Sequence, residues 1–417
     1  MHYEMEQEEH DVYPDDPDFD INKARLVTTA PRICVRYECV PMRFIKHVYK
    51  IHTYAQDGRL FEGKTPVSAF LNSSYDGSFI AGLMELRYIQ SLPVERIINY
   101  FESHGFTLKK PTAHKLMEKA SSLFENLYKC IRQTALSDPY KAADETYYKI
   151  LVPEKNSKGK GVRKGYLWVV VGINTRMIYL LYDDGSRSEK VILNELGGCK
   201  GIIQSDGYSP YRKLESDAYP HITRIPCLQH IKRKFIDCGE DDPDAKRIVE
   251  MINTLYQNEH KHKIGVDGWT VEQNLVHRKK YAPDILGEIK DVLDDIEERG
   301  DLLPKSELKE AITYLRNEWN AVVDIFNYGD TYLDNNIVER MNRYISLSRK
   351  NSLFFGSHKG AERGAILYTI ALTCRMNKVN LFEYLTDVIN RTAEWQPNTP
   401  LEKYRLLLPD RWEKAND

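Results

Sequence analysis

Five short apolar runs follow one another between residues 140 and 236 of this 417-residue chain, and their order limits the fold more than any other feature. The runs Tyr147–Val152, Tyr166–Val171, Met177–Tyr182, Gly201–Gln204 and Ile222–Pro226 have strand length and are rich in β-branched and aromatic residues. Gly172 and Asn174 supply a turn between the second and third, so the first three read as a meander. Helical spacing takes over at Ser188–Leu196 and again at Gln229–Ile236.

Three strands in meander, followed by alternating helix and strand, is the order of a ribonuclease-H-like core, an α/β mixed sheet. Around it the chain divides into segments. Residues 1–30 form an acidic leader without hydrophobic periodicity, expected to be disordered. Residues 31–66 read as a small β unit, with apolar segments at Ile33–Val40 and Phe44–His52. A helical, helix-turn-helix-like domain spans 67–135. Phe79–Gln90 is its first helix; Pro93 opens the second, which Gly105 ends; Pro111 opens the third, with Leu116, Ala120, Leu123 and Leu127 in register. A plain three-helix bundle packed on its neighbour fits that spacing equally well. The core's first segment covers 136–236, and a helical insertion covers 237–321, whose apolar faces are Ile285, Ile289, Leu293, Ile296 and then Leu308, Ile312, Leu315, Trp319. The core resumes over 322–376, and a C-terminal helix and tail cover 377–417.

Three acids stand out against this frame. Asp144 is expected where the first strand begins, and Asp206 just past Ile202-Ile203. Glu339 sits on a helix in L-D-N-N-I-V-E-R, with Asn336 and Arg343 on the same face. Strand, strand and helix delivering one carboxylate each is an arrangement that can hold two divalent cations against a phosphodiester. Gly207 would let the chain turn away and leave Asp206 open. The plainer alternatives are that both aspartates are turn or cap residues, and that Glu339 pairs with Arg343 at i+4 on the surface. Arg340, Arg343, Arg349 and Lys350 follow closely, a basic row suited to phosphates.

Cys227-Leu-Gln-His230 is half of a zinc site without a matching half, because Cys238 lies eight residues past His230. Packing is therefore the expected use of Cys227, and a polar active-site role that of His230. Lys232, Arg233 and Lys234 follow as a basic cluster. The basic loop Lys155–Lys164 is either a solvated hairpin or a DNA backbone contact; its glycines make no phosphate loop, since no strand and helix flank it.

Charge at first opposes a nucleic-acid partner, with 59 Lys and Arg against 61 Asp and Glu. Nine of those acids fall in residues 1–20, so the remaining chain carries 59 bases against 52 acids and is mildly basic. Seven cysteines scattered singly fit a reducing compartment. No run approaches the ~18 apolar residues of a membrane span. The N-terminus carries acids where a signal peptide needs a basic and then an apolar stretch, and the expected location is cytoplasmic.

Seven phrases in one order resemble the transposases of the insertion-sequence-66 family. They are A-D-E-T at 143–146, G-Y-L-W-V at 165–169, Q-S-D-G-Y at 204–208, C-L-Q-H-I-K-R-K-F at 227–235, L-D-N-N-I-V-E-R at 333–340, S-R-K-N-S-L-F-F-G-S at 348–357 and A-I-L-Y-T-I at 365–370. A looser similarity runs from Tyr37 to about Arg391. The resemblance implies a DDE transposase whose triad falls on Asp144, Asp206 and Glu339, with Mg²⁺ as cofactor and Mn²⁺ as a substitute. It implies two-metal cleavage at transposon ends, transfer of the 3′-OH to target DNA, and a C-x-x-H element at Cys227 and His230. Double-stranded DNA is the implied partner, with a homo-oligomer forming on it and accessory proteins of the same element. Many members carry an N-terminal cysteine-rich zinc segment; here that position holds the acidic leader with only Cys34 and Cys39, as in a shortened member. The alternatives are a domesticated, non-catalytic DNA-binding protein and a ribonuclease-H-like structure-specific nuclease.

Overall fold

The computed structural model describes residues 42–48, 50, 53–56, 59–62, 68–70, 73–155, 159, 161–239, 241–396 and 398–414. The acidic leader and the segment Ile33–Val40 lie outside them. Within the unit formed by residues 46–417, β1 (Thr53–Gln56) and β2 (Arg59–Glu62) pair antiparallel, with Thr53 opposite Glu62. The described residues of Phe44–His52 carry no strand, so this hairpin begins later than the sequence suggested.

Four helices follow. Asp76 caps α1 (Gly77–Tyr88) by accepting the Phe79 N–H. α2 (Val94–Ser103) starts directly after Pro93 and stops short of Gly105, whose φ of +83° suits glycine. α3 (Lys110–Leu123) has Pro111 in its first turn. The register expected to run on to Leu127 breaks at Phe124, where α4 (Glu125–Ser137) begins, yet Leu116, Ala120 and Leu127 are all buried.

The sheet comprises β3 (Tyr140–Leu151), β4 (Val162–Gly172), β5 (Met177–Leu181), then α5 (Glu189–Leu196), β6 (Gly201–Ser205), α6 (Ser209–Arg212), β7 (Ile222–Pro226) and α7 (Leu228–Ile236). Its order is β5-β4-β3-β6-β7, antiparallel through the meander and parallel across β3, β6 and β7. This is the mixed sheet of a ribonuclease-H-like core.

The insertion forms α8 (Pro243–Glu259), α9 (Val271–Glu298) and α10 (Glu307–Ile325). Thr270 and Gln273 make a reciprocal capping box at the start of α9. These helices do not build a separate core. Ile248, Ile289, Leu293, Ile312 and Leu315 pack in one apolar cluster with Ile202, Ile225, Leu228 and Ile231 of the sheet and α7. The chain closes with α11 (Asn336–Asn351), α12 (His358–Met376), α13 (Leu381–Thr392) and α14 (Leu401–Arg405).

α12 protects the free edge of β5. Thr369 Oγ1 accepts the Leu180 N–H at 2.9 Å and Thr373 Oγ1 donates to the Ile178 carbonyl at 2.8 Å, groups that would otherwise invite another strand. The N-terminal helices join this layer too. α1 lies against α13 so closely that a Cβ on Gly77 would stand 2.5 Å from Asn390 Oδ1. Among the described residues no helix is long and apolar enough to cross a membrane.

Gly207 stands in the bend after β6, where the turn was expected, and is closely packed as well. Its N–H donates to Tyr314 Oη at 2.9 Å, and a Cβ there would meet the Tyr314 ring at 2.5–2.7 Å. The residue after Asp206 is thus small because α10 presses on it. Gly207→Ala should cost about 1–3 kcal/mol through overpacking, measurable as a lower urea midpoint; an unchanged midpoint would show that Tyr314 moves freely.

Candidate active site

The sheet register sets the first two acids side by side. Tyr140, Lys141 and Ala142 of β3 pair in parallel with Ile202, Ile203 and Gln204 of β6. Continued by two residues, that register puts Asp144 alongside Asp206 on strands about 4.8 Å apart. Asp206 directly follows the last residue of β6, as the sequence indicated. Asp144 does not stand at a strand start: β3 begins at Tyr140, so the aspartate is inside the strand and held by ladder bonds to β4. The Asp206 carboxylate also accepts the Tyr208 N–H at 3.1 Å, so the turn role holds as well.

Burial pushes the Asp144 carboxyl up to about 8, and the neighbouring Glu145 and Asp206 carboxylates add to the rise. Its Oδ1 accepts the Glu145 N–H at 2.8 Å and its Oδ2 accepts Asn342 Nδ2 at 2.5 Å, which offset only a fraction of the rise. The folded chain therefore retains a proton that the unfolded chain releases near pH 4, and without a cation this group removes stability as pH rises from ~4 to ~8. Asp144→Asn should then be more stable than the parent by on the order of 2–4 kcal/mol near pH 7.5, with the difference vanishing near pH 4. Urea titrations in chelator at the two pH values test this; an equal difference at both would contradict it.

α11 brings the third acid. Asn335, just before it, donates Nδ2 to the Ala143 carbonyl at 3.0 Å, and beyond its end Phe355 exchanges backbone hydrogen bonds with Lys149 and Leu151 of β3. Clamped at both ends, the helix turns Asn342 onto Asp144, and Glu339 lies one turn earlier on that side. Asn336, Arg340 and Arg343 do not share this direction. With Tyr332, Asp334 and Ile337 they line an open groove of about 440 Å³. Glu339 lies between the two directions and is half-buried, with its carboxylate turned towards α7. Its Oε1 lies 3.7 Å from His230 Nδ1. This contact stands in place of the alternative i+4 pairing with Arg343.

Four buried polar atoms here have no hydrogen-bond partner: His230 Nδ1, Glu339 Oε1, Asn335 Oδ1 and Asn342 Oδ1. Unsatisfied buried acceptors are costly and normally explained by an ion or water. Together with two aspartates whose charges repel, they fit a site that takes up cations. Among the described residues, the one group of three ligand types whose atoms all lie within 4.8 Å is Cys227, His230 and Glu339. Asp144 and Asp206 stand beside that group and outside it.

The basic residues divide. Arg233, Lys234, Arg340, Arg343 and Lys350 are at least partly exposed, as is Lys232. Arg349 is committed to β3: it donates to the Tyr147 carbonyl at 2.5 Å and stacks over the Tyr147 ring at 3.9 Å.

Sequence reasoning missed the residues that position the acids. Glu145 looks like a second candidate but is taken up by Arg187 at 2.5 Å and Tyr211 Oη at 3.3 Å. Arg224, wholly buried, donates to the Asp206 carbonyl at 3.1 Å and pairs with Glu215 and with Glu318 of α10. Asn342 could have been found from its i+3 spacing to Glu339; the partners of Arg224 lie too far apart in sequence to be inferred.

Fold and site together define a ribonuclease-H-like protein with two aspartates on adjacent strands and a glutamate on a following helix. The sequence profile of the transposase IS66 family matches residues 72–363, and the chain belongs to that family. Similar proteins include three from Sinorhizobium fredii (strain NBRC 101917 / NGR234), each described as uncharacterized. y4jD is 26% identical over 346 residues, 80% of this chain and 65% of its own length. y4hP is 24% identical, covering 95% of this chain and 76% of y4hP. y4qI is 26% identical, covering 88% and 69% respectively. The chain thus spans just under two thirds of y4jD and somewhat more of the other two.

Proposed function

We propose that the chain is a DDE transposase that cleaves DNA at the ends of its element and transfers the freed 3′-OH to target DNA. The observation that carries this reading is the convergence of Asp144, Asp206 and the inward face of α11, across an unpaired set of buried acceptors. Asp144, Asp206 and Glu339 would hold Mg²⁺, or Mn²⁺ in its place, supplying Lewis acidity to the attacking and leaving oxygens. Arg340, Arg343 and Lys350 are free to meet phosphates along the groove, with Lys232, Arg233 and Lys234 on α7 as further contacts. Arg349 acts instead by fixing α11 to β3. His230 positions the phosphate or water next to Glu339. Both successive displacements are in line, so no nucleophilic Ser or Tyr is required. Two ends must be handled together, which calls for at least two copies on the DNA, and the exposed faces of α2 and α3 offer a further DNA contact.

The test is purified protein on DNA carrying the element's ends, with Mg²⁺ or Mn²⁺. Joined products are expected. Hydrolysis without joining would favour the structure-specific nuclease, and binding without cleavage the domesticated DNA-binding protein.

A further inference from the structure

We propose that Cys227, His230 and Glu339 form a three-ligand site for a borderline-soft divalent ion, Zn²⁺ foremost, distinct in its donor set from the all-carboxylate centre. A thiol, an imidazole and a carboxylate offer one atom each, all within 4.8 Å of one another. Tetrahedral Zn²⁺ with one sulfur, one nitrogen and one oxygen ligand needs them roughly 3.3–3.6 Å apart. The His230 Nδ1 to Glu339 Oε1 distance of 3.7 Å lies a few tenths of an ångström beyond this, so a small closure brings all three atoms into range.

Local structure explains why the three meet. Cys227 directly follows β7 and caps α7, so His230, three residues on, returns to the same side one turn later. The entry to α11 is tied to that point by two hydrogen bonds. Leu228 N–H donates to the Leu333 carbonyl at 2.9 Å, and Asn335 N–H donates to Cys227 Sγ at 3.2 Å. An amide pointing at sulfur stabilises a thiolate once a metal displaces its proton. His230 Nδ1 and Glu339 Oε1 are buried without partners, which is the state expected of ligands awaiting an ion. The His230 and Glu339 side chains are 28% and 24% exposed, so the buried donor atoms lie close to the surface.

Ligand chemistry separates this site from the neighbouring one. Mg²⁺ prefers oxygen donors alone, whereas thiolate and imidazole select Zn²⁺. Glu339 belongs to both sets. Zn²⁺ bound beside Cys227 and His230 draws Glu339 away from the two aspartates and competes with Mg²⁺ there. That competition rests on the proposed transposase chemistry, but Zn²⁺ binding itself does not. The sequence showed only the Cys227–His230 half because the third ligand lies more than a hundred residues further on.

Metal-stripped full-length chain titrated with Co²⁺ provides the test. One equivalent should produce a thiolate-to-cobalt charge-transfer band and tetrahedral d–d absorption, both displaced by equimolar Zn²⁺. Cys227→Ser should abolish the charge-transfer band, and Cys238→Ser should retain it. His230→Ala, at a partly exposed position that tolerates change, should keep the thiol but weaken Co²⁺ binding by more than the ~10–100-fold that loss of an outer partner costs. No thiolate band in the parent, a band that survives in Cys227→Ser, or unaltered affinity in His230→Ala would overturn the site. In Mg²⁺-dependent cleavage, Zn²⁺ should inhibit the parent and spare Cys227→Ser. If no cleavage occurs with Mg²⁺ at all, the transposase reading fails while the cobalt spectra still decide the site.

Discussion

Asp206→Asn and Glu339→Gln should each lower strand cleavage by at least about 10³-fold, or ~4 kcal/mol of transition-state stabilisation, with secondary structure intact. Either change keeps size and most hydrogen bonding, because the Asp206 carboxylate accepts the Tyr208 N–H and an amide oxygen can do the same. What is lost is negative charge at a point where two strands and a helix converge. The effect should fall on turnover and not on DNA affinity, since the groove-lining Arg340 and Arg343 are untouched. Gel-shift and single-turnover cleavage with the same DNA separate the two. Full activity of Glu339→Gln would remove the glutamate from the centre.

Glu318→Ala should be the most destabilising single change, about 3–5 kcal/mol. Its carboxylate is 1% exposed and pairs with Arg224, which is 0% exposed and cannot shed its charge. Removing the glutamate leaves Arg224 with Glu215, which is 34% exposed and a weaker partner in a wetter place. The consequence reaches the site, because the same guanidinium holds the Asp206 carbonyl. Urea denaturation measures the loss. The double change Arg224→Met with Glu318→Leu should recover some of it, since removing both charges avoids the lone buried one. A Glu318→Ala chain as stable as the parent would show that water readily enters between α10 and β7.

How far the sequence reached can be judged from single elements. Ile222–Pro226 matches β7 end to end, and the starts of β5 and β6 fall at the expected Met177 and Gly201, because β-branched runs bounded by glycine and turns leave little choice. β3 was placed seven residues late. Its opening, Tyr-Lys-Ala-Ala, has weak strand propensity, and Lys141 is wholly buried, with Nζ donating to the Asp138 and Lys200 carbonyls. A lysine so placed hides the apolar alternation on which the reading relied. The three acids were open to proposal because Asp144 precedes and Asp206 follows an expected strand run and Glu339 lies on a periodic helix. Their supports were not. Arg224 with Glu318, Tyr314 against Gly207, and Glu339 facing His230 all link residues about a hundred positions apart; the packing of the insertion onto the sheet brings the first two pairs together, and the tethering of α11 to β3 and α7 the third.

The central claim is that Asp144, Asp206 and Glu339 hold divalent cations as one centre. Electron paramagnetic resonance of Mn²⁺ bound to the chain with an element-end DNA tests it most directly. Two spin-coupled Mn²⁺ ions per chain are expected in the parent, with the coupling lost in Asp144→Asn and in Glu339→Gln. Unchanged coupled Mn²⁺ in either variant would contradict the account.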